Sequence, residues 1–160
     1  MTKLFVSTVM LGAALCATIG LGTPVQAAGF GGAGGFFNSF LGQPNGANMD
    51  LDDTLSKMSE KMNRKMPQEV DPDTRLDKVS AEPGHQFAYH YTMLNVSSKE
   101  LKTASFYKAF RPMLQKKVCA SDDLKMFFRN RVTVAYVYQG RDGHAIGKLA
   151  FSPKDCGYSS

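Results

Sequence analysis

The sequence predicts an α+β domain ordered helix–hairpin–helix–hairpin, with a four-stranded antiparallel sheet, helices on one face and one disulfide. Three observations lead there. Leu51, Leu55, Met58, Met62 and Met66 recur every three to four positions, which is helical spacing. Two runs rich in aromatic and β-branched residues, 74–96 and 132–152, are each broken by a turn sequence, Pro83-Gly84 and Asp142-Gly143. Two cysteines, Cys119 and Cys156, remain once residues 1–27 are set aside.

Residues 1–27 read as a secretory signal peptide. Lys3 is the sole charge, an apolar run extends from Leu4 to Gly22, and Val25-Gln26-Ala27 gives a small-x-small ending. An uncleaved anchor is the alternative, and with Lys3 held inside it also leaves the rest of the chain outside the cytoplasm. Cys16 follows Ala13-Ala14-Leu15, a poor lipidation signal. The location expected is therefore periplasmic or secreted. In such a compartment two cysteines allow one intramolecular bridge, Cys119–Cys156; no C-x-x-C spacing supports a reactive pair.

Residues 28–49 are glycine-rich and uncharged, with Phe30, Phe36, Phe37, Phe40 and Leu41 interspersed. Glycine at this density opposes ordering through backbone entropy, so a flexible spacer is expected, with docking on a surface as the alternative reading. The folded domain then spans 50–160. At the start of its first helix Asp50, Asp52 and Asp53 favour the positive dipole end, and Pro67 stops it. Val70-Asp71-Pro72-Asp73 reads as a polar turn, followed by strands at 74–80 and 86–96 around Ala81-Glu82-Pro83-Gly84. Ser97 with Glu100 is a capping-box signature for a second helix carrying Leu101, Ala104, Phe106, Tyr107, Phe110, Leu114 and Val118. Pro112 is expected to kink or divide that helix. Ser121-Asp122-Asp123 starts a short helix through Phe127 and Phe128, and the strands 132–138 and 146–152 close the domain.

Thr74-Arg75-Leu76-Asp77, Pro83-Gly84 and Tyr89-His90-Tyr91-Thr92, with Cys119, Asp142-Gly143 and Pro153-Lys154-Asp155-Cys156, resemble the pattern of an uncharacterised family of small secreted bacterial proteins. The resemblance covers roughly residues 50–157. It implies the same compartment and disulfide and carries no activity or site residue.

The chain has 160 residues, which leaves no room for a multidomain enzyme, and its 43% apolar and 21% charged content excludes a wholly disordered chain. Met58, Met62 and Met66 could align thioethers for Cu(I), but Leu51 and Leu55 share their face and core packing is the simpler reading. His85, His90 and His144 lack zinc-ligand spacing, so no cofactor is expected. A small secreted ribonuclease would need His90 or His144 as acid or base, Glu100 as partner and Arg131 or Arg141 for phosphate, and these residues have no diagnostic spacing. No nucleophile motif appears.

Charge is asymmetric. Residues 50–82 hold nine acidic and six basic side chains, while 83–160 hold five and twelve. Lys108, Arg111, Lys116, Lys117, Arg129 and Arg131 cluster in the basic half. A solvated face is the bland account; the functional one is a surface for an envelope protein or an anionic membrane, with nucleic acid disfavoured by compartment. The expected role is non-catalytic binding of a cell-envelope partner.

Overall fold

A computed structural model describes residues 50–159; the leader 1–27 and the glycine-rich segment 28–49 lie outside the described residues. The elements are α1 (Leu51–Asn63), β1 (Gln68–Asp71), β2 (Thr74–Glu82), β3 (Gln86–Met93), α2 (Thr103–Ala120), α3 (Asp122–Arg129), β4 (Thr133–Gly140), β5 (Ala145–Phe151) and a final 3₁₀ turn (Pro153–Cys156). No helix among the described residues is long and apolar enough to cross a membrane.

The α+β class and the disulfide match expectation, but the sheet is five-stranded and mixed rather than four-stranded and antiparallel. Its order is β1-β2-β3-β4-β5, with β3 and β4 parallel. The connection between them contains both α2 and α3, long enough to carry the chain back across the sheet so that β4 runs in the direction of β3. The added strand, β1, occupies part of the expected polar turn. Gln68-Glu69-Val70-Asp71 has no apolar alternation because it is an edge strand whose Gln68, Glu69 and Asp71 are exposed.

One face of the sheet holds the core. Alternation places Phe87, Tyr89 and Tyr91 of β3 beside Val134, Tyr136 and Tyr138 of β4, and Leu149 and Phe151 of β5 complete the layer. Leu76 and Val79 are three residues apart yet both buried. A bulge at Asp77 lets them face Tyr91 and Tyr89 respectively. Onto this layer α1 brings Leu55 and Met58, α2 brings Phe106, Leu114 and Val118, and α3 brings Leu124, Phe127 and Phe128. The rings of Tyr91 and Tyr138 stack at 5.3 Å, and Phe106 meets Tyr138 edge-on at 5.4 Å. Phe106 sits so close to β5 that a Cβ on Gly147 would lie 2.9 Å from its ring, so glycine is required there. Burial pushes the Tyr138 hydroxyl up to about 12, and those of Tyr89, Tyr91 and Tyr136 higher still.

The other face is small and polar. Ser80, Ala88, Ala135 and Ala150 form one row across β2 to β5, beside a row of Lys78, His90, Val137 and Lys148. Lys148 reaches across to Glu82 at 3.2 Å, over the buried Ala88 and Ala135.

The helices depart from expectation in three places. α1 ends at Asn63, before Met66 and Pro67. α2 begins at Thr103 rather than just after Ser97; Glu100 does accept from the Ser97 amide at 2.6 Å, but the pair closes a turn and not a helix. Of the two outcomes expected at Pro112, a kink or a division, division does not occur, since α2 runs on to Ala120. Its missing amide deprives only the Lys108 carbonyl, on the outward side where water can bond it.

Candidate functional site

The outward side of α2 carries a run of exposed side chains. Phe106, Phe110, Leu114 and Val118 repeat every fourth residue and turn inward, which leaves two neighbouring rows facing out. Lys108, Pro112 and Lys116 make one; Ala109, Met113 and Lys117 make the other, and all six are exposed. Met113 is 47% exposed, the one large apolar side chain in the open among the described residues. No acidic residue lies in α2, and none of Lys108, Lys116 or Lys117 has an ion pair among the described residues. The N-cap position is Lys102, which offers no capping oxygen.

The helix is held firmly. Cys119 is bonded to Cys156, with Cα atoms 5.1 Å apart. Gln115 donates to the Asp155 carbonyl at 2.9 Å, and Tyr107 bonds the Lys148 backbone. Arg111 is drawn into this fastening. It pairs with Asp155 at 3.5 Å and lies 5.5 Å from the centre of the Phe151 ring. The six basic residues singled out by sequence therefore divide. Lys108, Lys116 and Lys117 share the open side of α2, Arg111 turns toward the 3₁₀ turn, and Arg129 and Arg131 lie exposed at the far end of α3. Sequence reading missed Met113; the signal was its position off the four-residue row of Phe106, Phe110 and Leu114.

The three methionines weighed for Cu(I) lie against the core. Met58 is fully buried, while Met62 and Met66 pack against the core and Met66 lies beyond the helix, so no open thioether row forms. The three histidines sit apart, each with its own polar partner. His85 meets Asp52 at 2.9 Å, His90 meets Ser80 at 2.8 Å, and His144 lies against the Asp142 carbonyl at 2.9 Å. His90 is held below the usual histidine range, first by burial and then by Lys78.

His144, Arg141 and Glu100, three of the residues weighed for a nuclease, do come together, while His90 and Arg131 lie elsewhere. Their neighbourhood is a fastening between the β4–β5 turn and the loop before α2. Arg141 pairs with Glu100 at 3.3 Å. Asp142 accepts from the Ser97 and Ser98 hydroxyls, each at 2.8 Å, and from the Ser98 amide at 3.2 Å. These donors, Ser97 first, hold the Asp142 carboxyl well below the usual range.

The chain belongs to the family described as a domain of unknown function (DUF8479), which matches residues 50–146. No curated protein matches it. Among solved structures it is similar to a Pseudomonas aeruginosa protein described as a "putative secreted protein", at 18% identity and a TM-score of 0.54, covering 68% of this chain and 97% of that one. It is also similar to the pilotin EpsS of the Vibrio vulnificus type 2 secretion system, at 12% identity and a TM-score of 0.51, covering 68% and 94% respectively. At these identities the likeness concerns the fold.

Proposed function

We propose that this protein is a non-catalytic periplasmic or secreted protein that binds a partner in the cell envelope. The observation that carries the reading is the open, acid-free side of α2, held in place by the Cys119–Cys156 bridge. A structural disulfide persists in an oxidising compartment, which agrees with the leader read in residues 1–27. Fold neighbours described as a secreted protein and as a secretion-system pilotin support the same setting. The Gly/Phe segment 28–49 would serve as a tether between the domain and its surroundings. Cross-linking in intact cells, followed by affinity recovery of the full chain, tests this. A reproducible envelope protein is expected, with recovery reduced in a variant lacking residues 28–48 and carrying Lys116→Glu and Lys117→Glu. Recovery of no envelope component, or of cytoplasmic proteins alone, would sink the reading.

A further inference from the structure

The open side of α2 has a pattern more specific than positive charge. Between Leu101 and Ser121 there is no aspartate or glutamate, so the lysines there have no acidic neighbour along their own helix. The adjacent rows Lys108–Pro112–Lys116 and Ala109–Met113–Lys117 hold a small exposed apolar centre, Ala109, Pro112 and Met113. Methionine is unbranched and polarizable, suited to packing against varied apolar side chains. Lysine stems cover apolar surface while their ammonium groups stay in water.

We infer that this side of α2 docks an acidic segment of a partner protein, one that sets carboxylates against Lys108, Lys116 and Lys117 and one apolar side chain on Met113. The inference rests on the partner-binding reading above and gives that partner its chemistry. Charge complementarity selects the occupant, since three exposed lysines lack an acidic partner on an element that supplies none. An anionic bilayer is the competing occupant. Helices that lie in a membrane interface present a stripe of Leu, Phe or Trp, whereas the outward apolar residues here are Ala104, Ala109, Pro112, Met113 and Ala120. A bilayer would attract the lysines and find almost nothing to bury. A protein segment needs only the one anchor.

The probe is a fluorescein-labelled helical peptide in which glutamates repeat every fourth residue about one central leucine, titrated with the full chain and read by anisotropy. Phosphatidylcholine vesicles containing phosphatidylglycerol are titrated in parallel. Lys108→Glu, Lys116→Glu and Lys117→Glu together should weaken peptide binding at least about tenfold. The charge-matched set Lys57→Glu, Lys65→Glu and Lys78→Glu should change it by less than about twofold, because those residues lie off α2. Met113→Ser should weaken it about threefold at a salt concentration that screens the lysines. Equal weakening by the two lysine sets would overturn the inference, since only net charge would then matter. Vesicle binding without peptide binding would overturn it in favour of a bilayer. An envelope partner whose cross-linking survives the α2 lysine reversals would leave the general function standing and remove this surface from it.

Discussion

Asp142 shows how one side chain can hold two distant segments. Its carboxylate gathers the Ser97 and Ser98 hydroxyls and the Ser98 amide across more than forty positions of sequence. Next to it Gly140 comes so near the loop that a Cβ would stand 2.5 Å from the Ser98 nitrogen, so Gly140→Ala should force the two segments apart. Asp142, Asp52 and Asp155 all have carboxyls held below their ordinary range, through Ser97, His85 and Ser152 respectively as the leading causes. A depressed carboxyl stabilises the fold fully above its unfolded pKa of about 3.9, and that contribution fades as pH falls through the folded value. Urea midpoints should therefore decline gently below about pH 6.5, where the unfolded chain protonates His90 more readily than the folded one, and drop steeply below about pH 4. Asp142→Asn should lower the neutral-pH midpoint and flatten the acid limb, so that variant and parent converge as pH falls. Parallel curves with an unchanged gap down to the acid end would show that the carboxylate charge is not what holds the loop.

At the scale of elements, the disulfide and the 3₁₀ turn decide how firmly α2 is seated. The bridge closes 37 positions of chain, and loop-closure entropy puts its worth at about 4 kcal/mol. Cys156→Ser should lower thermal stability by an amount of that order, with amide exchange rising first in the C-terminal half of α2 and in Pro153–Cys156. Equal loosening of β2 and β3 would contradict a local role. Most elements were legible because their signals are local: the spacing of Leu51, Leu55 and Met58, the alternation from Phe87 to Tyr91, the turn residues Pro83-Gly84 and Asp142-Gly143. Two features were not. β1 follows a sequence of exposed polar residues and forms because β2 has an open edge to pair with. The parallel pairing of β3 with β4 depends on how α2 and α3 pack on the sheet, which no window of sequence contains. The start of α2 was misplaced for a related reason: Ser97 and Glu100 satisfy a helix-start pattern, but Asp142 and Arg141 hold them in a turn.

For the molecule as a whole, the basic half was legible as a charge balance, while its division into an open triad and a fastened Arg111 required the fold. Arg111 could not be told from Lys108 by sequence, since its partner Asp155 lies beyond two strands and a helix. The same fold closes its own sheet edges with two side chains. β1 shields β2 only as far as Leu76, and beyond it the Asn63 carboxamide takes both the Val79 amide, at 2.8 Å, and the Val79 carbonyl, at 2.9 Å. On the opposite edge the Tyr107 hydroxyl both accepts from the Lys148 amide and donates to its carbonyl, each at 3.1 Å. An unpaired strand edge is a template for another strand, so these contacts work against edge-to-edge association as well as for stability. Asn63→Ala and Tyr107→Phe together should cost about 1–3 kcal/mol in unfolding free energy. They should also make the molar mass rise with protein concentration in light scattering, relative to the parent chain under the same conditions. Loss of stability without a change in mass would assign the two side chains to holding α1 and α2 in place. Blocking of the edges would then belong to β1 and to the body of α2.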